Sequence, residues 1–239
     1  MDELERWRTA LPSVAAYVDR LPLGLASYPE CVVARGLVDE IAGSLALERP
    51  SDFPAELSAL LLPEAERGAW IPEAMYIALI LAVGDRHSRR CAPSFCNEPG
   101  GVRTELVGTR SAADVLADTV IRAGRSAFAR AHHGMSETPL HNGPGWSASA
   151  FSHPTLLVPP ALLDEMVRVA LAALRRANVS GAQVEYRSEP DSRATGWSMT
   201  VFTTRWNARS AAHSADATDW RAIRDQLQAE RDGVANSSR

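Results

Sequence analysis

Residues 161–206 place a helix pattern directly before two strand patterns, and that succession limits the fold more than any other feature of the chain. Leu162, Leu163, Met166, Val167, Ala170, Leu171 and Leu174 recur at three- and four-residue steps and form one apolar stripe. The spacing predicts an amphipathic helix over 161–178, opened after Pro159-Pro160 and closed by Gly181. Ala182–Arg187 and Trp197–Trp206 then carry the composition of half-buried strands. The link between them, Ser188-Glu189-Pro190-Asp191-Ser192, is rich in turn formers, so the two strands are expected to pair as an antiparallel hairpin. Gly145–Phe151 alternates large and small residues and supplies a further strand. A strand, helix, strand, strand order makes an antiparallel sheet with helices on one face, which is an α+β fold.

The chain before this unit reads as helical. Leu4, Trp7, Leu11, Val14, Ala15 and Val18 mark a first helix over 3–20, with a break or late start at Pro12. Ser27-Tyr28-Pro29-Glu30 has the spacing of a capping box, so a second helix is expected from there to about Leu45. Ser51-Asp52-Phe53-Pro54 starts a short helix in the same way. Trp70-Ile71-Pro72-Glu73 opens an apolar helix ending near Arg86, with Pro72 in its first turn. The run Ala74–Val83 is apolar on nearly all sides, but ten helical residues rise only about 15 Å, half of a bilayer core. It belongs inside the protein and is no membrane span. Another helix is expected over 112–131, capped by Ser111.

These elements divide the chain into one globular domain over 1–206 and a tail over 207–239 with a short helix. Within the domain, 1–84 is the helical part, 85–110 a long polar loop and 111–206 the α+β part. At 239 residues the chain is long enough to bury a core without disulfide or metal staples.

All 25 basic residues are Arg, a usage that fits a GC-rich bacterial genome. Net charge is −4, and no basic excess of the kind nucleic-acid binders carry is present. Without Lys, the usual phosphate-cradling loop is excluded as well. Residues 1–82 hold six Arg against 13 acids. This acidic helical half, or an exposed sheet edge, offers a surface for a protein partner or for homodimerisation. Three Cys and an acidic, polar start without an export signal point to the cytoplasm.

Three short segments occur in a telling order: Trp70-Ile71-Pro72-Glu73, then Ala127–Gly134 with its His132-His133 pair, then the closing helix and hairpin ending in Thr204-Arg205-Trp206. In this order they resemble an uncharacterised family of paralogous myxobacterial proteins, over roughly residues 25–206. The second half is similar, more distantly, to ligand-binding domains of the 4-vinyl reductase type. That resemblance implies a regulatory or ligand-sensing role and supplies no reaction. Such domains often carry a Cys- or His-lined site near their end, but this chain has no Cys after Cys96, so that ligand does not carry over.

Two constellations bear chemistry. His87, Cys91 and Cys96, completed by His132, supply N and S ligands of the kind zinc takes, although the spacing is wider than that of a tight knuckle. His132 and His133, beside Gly134 and followed by Glu137 and His141, are of the residue type that works as a general base at neutral pH, and equally of the type that favours a helix C-terminus. Gly145-Trp146-Ser147-Ala148-Ser149 lacks the final Gly of a nucleophile elbow. Among the tryptophans, Trp70, Trp197 and Trp206 are expected in the core, whereas Trp7, Trp146 and Trp220 are better placed for an exposed face.

The leading expectation is a non-catalytic module that binds a small apolar molecule or a protein partner in signalling. Its pocket is expected between the 112–131 helix, the 161–178 helix and the hairpin, with Phe128, His132, His133 and Trp146 as binding residues. The alternatives are a metal-dependent or hydrolytic enzyme using His87, Cys91, Cys96 and the His132-His133 pair, and a structural assembly component.

Overall fold

The computed structural model describes residues 3–45, 52–61, 68–87, 112–192 and 194–207. The expected tail helix, most of the expected 85–110 loop, the Ser111 cap, Cys91, Cys96 and Trp220 lie outside them.

Pro12 divides the first helical stretch in two, α1 (Glu3–Ala10) and α2 (Pro12–Arg20). It sits in the first turn of α2, where its missing N–H has no helical partner to lose. The capping box at Ser27 does not form. The Ser27 hydroxyl instead accepts the Leu23 N–H at 2.9 Å, and Tyr28 adopts a left-handed φ of 56°. The chain then runs extended as β1 (Val32–Ala34), and α3 (Arg35–Ser44) is capped at Ala34, seven residues later than the Ser27 cap predicted. The next helix, α4 (Ala55–Leu61), starts just after Pro54, as expected.

Trp70-Ile71-Pro72 also differs from expectation. It is a strand, β2 (Trp70–Pro72), and α5 (Glu73–His87) starts after it. β2 is the edge of a three-stranded antiparallel sheet ordered β2-β1-β3, where β3 is His132–His133. An edge strand tolerates Pro72, because the missing donor breaks no central ladder. Val33 pairs with both Ile71 and His132, and all three are buried. The alternate residues Trp70 and His133 are exposed. The crossing of β1 and β3 is close. Gly134 has φ +83°, and a Cβ there would stand 2.2 Å from the Glu30 carbonyl oxygen, so the position accepts only glycine.

Helix α6 (Ala112–Ala131) leads through β3 into β4 (Ser136–Gly143), a strand the sequence reading did not contain. β5 (Trp146–Pro154) extends three residues past the expected stretch. Helix α7 (Pro160–Arg176) matches the apolar stripe, and Asn178, at φ 58°, takes the left-handed position beyond its end rather than Gly181. β6 (Gln183–Pro190) and β7 (Trp197–Arg205) form the expected antiparallel hairpin. The second sheet is ordered β4-β5-β7-β6, antiparallel throughout.

The fold is therefore α+β. Helices α6 and α7 cover the sheet face that carries Ser149, Phe151 and Phe202. One cluster of buried side chains draws on α2, α3, α4, α5 and the sheet, joining the helical half to the α+β half. No helix among the described residues is long and apolar enough to cross a membrane.

Candidate functional site

Helices α6 and α7 and the four-stranded sheet do not close on one another completely. They leave a cavity of about 160 Å³ walled by Val120, Phe128, Phe151, Val169, Leu174 and Phe202, among others. The 3.6-residue period places Val120, Ile121, Gly124 and Phe128 on one side of α6, and Val169, Ala170 and Ala173 on one side of α7. Small residues keep the space open. A Cβ added at Gly124 would meet nothing within 4 Å. An apolar cavity of about 150 Å³ is enough to hold a benzene molecule.

The lining holds one ion pair. Arg125, on α6, donates from Nε to Glu137 Oε1 at 3.1 Å, and from Nη2 to Ser147 Oγ and the Ala148 carbonyl, both at 3.2 Å. Ser147 in turn donates to the His141 carbonyl at 3.1 Å. Arg125 and Glu137 keep 17% and 21% of their side chains exposed, and as the only charged groups of the described lining they cancel. Two further hydroxyls, those of Ser149 and Thr204, line the cavity and have no hydrogen-bond partner among the described residues.

Phe128 is also the roof of a second arrangement. It stacks on His132, whose Nδ1 lies 3.0 Å from Glu73 Oε2. Both members of this pair keep only 2% exposure. Glu73 stands in the first turn of α5, where a negative charge meets the positive end of the helix dipole. Tyr17 and Cys31 feel the same carboxylate. The Tyr17 hydroxyl donates to the Leu157 carbonyl at 2.8 Å, and burial, with Glu73 adding to it, raises its pKa far above the ordinary range. Burial likewise pushes the Cys31 thiol up to about 12, with Glu30 and Glu73 adding to it, so this cysteine is no nucleophile near neutral pH.

The expected binding residues separate. Phe128 lines the cavity, whereas His132 lies behind it. His133 is exposed and meets Trp70 edge-on, ring centroids 4.1 Å apart. Trp146 stacks on His141 at 3.7 Å and 12°, and neither lines the cavity. Burial lowers the His141 pKa. Of the three tryptophans expected in the core, Trp206 is buried, its Nε1–H donating to Asp114 Oδ1 at 2.8 Å, and Trp197 is half-buried. Trp70 is 41% exposed, because the strand that carries it turns that position outward. Trp7 and Trp146 are half-buried.

For the metal set, His87 closes α5, and Cys91 and Cys96 lie outside the described residues. Among those residues no group of three or more His, Cys, Asp or Glu is placed to hold a metal ion. His132 has its Nδ1 committed to Glu73.

Sequence reasoning missed Arg125, Ser149 and Thr204 as lining residues, and it set Glu137 beside His132 and His133 rather than against Arg125. A signal for Arg125 was present, since it falls four residues after Ile121 and three before Phe128, on the helix side that is otherwise apolar. A buried network was also missed. Thr200 is hydrogen-bonded to both His153 Nε2 and Ser188 Oγ at 2.9 Å, while His153 Nδ1 faces the Pro154 carbonyl at 3.1 Å. No protein-family model, curated protein or solved structure matches this chain.

Proposed function

We propose that the protein is a non-catalytic small-molecule-binding module whose ligand occupies the cavity between α6, α7 and the four-stranded sheet. The observation that carries this reading is the cavity itself, kept open beside a glycine in the middle of a helix. Glycine costs a helix interior about 1 kcal/mol relative to alanine. Gly124 accepts that cost although a side chain there would have room. The lining supports binding over catalysis. Among the described residues it contains neither His nor Cys, and its one carboxylate is paired with Arg125. Apolar walls with a few polar groups are the usual make-up of a ligand pocket.

Gly124→Leu tests the reading, because it fills the cavity while improving helix propensity. Wild-type and variant protein, purified from the native host, are extracted with organic solvent and the extracts compared by mass spectrometry. The expected result is a compact organic molecule, at up to one per chain, from the wild type alone. Identical extracts from the two proteins would contradict the proposal.

A further inference from the structure

We infer that the molecule this cavity takes is uncharged, about one six-membered ring in size, and tipped with a single hydroxyl, as a phenol is. The inference rests on reading the cavity as a ligand site, and it names the chemical class.

Size sets the first limit. At about 160 Å³ the space matches one ring and little more. Charge sets the second. A carboxylate ligand would seek Arg125, but that guanidinium already serves Glu137, Ser147 and the Ala148 carbonyl. An ammonium would seek Glu137, which is held by Arg125. Glu137 and Arg125 already balance each other, so either ion would bring in a charge without a counter-charge, which is costly in an apolar enclosure.

Hydrogen bonding sets the third limit. Ser149 lies opposite Phe202, and Thr204 lies opposite Ser147, in the pairing of β5 with β7. Ser149 and Thr204 are therefore diagonal neighbours on the sheet face that the helices cover. Each hydroxyl can donate and accept, and neither is used by the protein among the described residues. A ligand hydroxyl placed between them donates to one and accepts from the other. A hydrocarbon of the same size leaves both without a partner, and unpaired polar groups in an apolar enclosure weaken binding.

Calorimetric titration of the whole protein at pH 7 with phenol, benzene, benzoate and benzylammonium tests this. Phenol is expected to bind about ten-fold more tightly than benzene, the gain of one or two net hydrogen bonds. The two ions are expected to give no saturable heat. In Ser149→Ala/Thr204→Val, phenol is expected to fall to the affinity of benzene, while benzene binding persists and shows that the cavity is intact. Equal affinities for phenol and benzene in the wild type would overturn the inference and leave the site reading standing. Tightest binding by benzoate or benzylammonium would overturn it in the same way. Failure of all four to bind would overturn both.

Discussion

The Phe128 ring lies flat on the His132 imidazole, with centroids 4.5 Å apart and planes 11° from parallel. The same side chain lines the cavity, and the His132 it stacks on is hydrogen-bonded to the buried Glu73. Phe151 meets the edge of the same ring at 5.4 Å, so Phe128 joins sheet, cavity and core. Truncating it removes all three contacts. Phe128→Ala is expected to lower stability by about 3–5 kcal/mol, the usual range for a buried Phe. Urea denaturation of the two proteins measures the difference, and a loss below about 1 kcal/mol would show that the ring carries no such role.

The buried hydrogen-bonded pair of His132 and Glu73 gives a second expectation. Removing one partner of a buried pair leaves the other desolvated and alone, at a cost of about 3–5 kcal/mol. His132→Ala should therefore be strongly destabilising. Replacing both residues, as in His132→Phe/Glu73→Leu, removes the stranded charge, and the double variant is expected to be more stable than His132→Ala. A double variant less stable than the single one would show that the pair itself contributes, beyond avoiding an unpaired carboxylate.

The His153 network predicts how stability responds to acid. Burial lowers the pKa of His153, partly offset by its hydrogen bond to the Pro154 carbonyl. In the unfolded chain the ring returns to about 6.5. Between the lowered folded value and about 6.5, the unfolded state therefore binds more protons than the folded one. Stability falls as pH falls through that window, and the contribution is fully present above it. His141 is shifted in the same direction and adds to the effect. Denaturation midpoints at pH 7.5 and pH 5 should differ more in the wild type than in His153→Gln. Identical pH responses would show that His153 is not buried in its neutral form.

Cys31 should be chemically silent in the native protein. It is fully buried, and its thiol is pushed up to about 12, so almost no thiolate forms at pH 8. In a Cys91→Ser/Cys96→Ser background, a thiol-specific chromogenic disulfide is expected to label no cysteine per chain at pH 8. It should label one after addition of guanidinium. Prompt labelling of the native protein would mean that the core around Cys31 opens readily.

The parts of the fold that were legible in sequence are those with long, regular patterns. The α7 stripe, from Leu162 to Leu174, repeats over more than three turns, and the β6–β7 hairpin has a turn of unmistakable composition. A cavity lies between these elements and the 112–131 helix, but of the expected residues Phe128, His132, His133 and Trp146 only Phe128 lines it. The strands β1, β2 and β3 are two or three residues long, too short to show any period. Trp70-Ile71-Pro72 resembled a helix start because proline is equally at home in an edge strand and a first helical turn. β4 contains Pro139 and an irregular register beside it, so it lacks the alternation that marked β5. The polar lining was hidden for another reason. Arg125, Glu137, Ser149 and Thr204 come from four separate elements, and only the folded sheet and helices bring them to one space.

The claim that the cavity is a ligand site is tested most directly by following backbone amide resonances during titration with phenol. Saturable shifts are expected, confined to residues around the cavity including Val120, Gly124, Val169 and Thr204, and lost in Gly124→Leu. Shifts that fail to saturate, or that persist unchanged in Gly124→Leu, would contradict it.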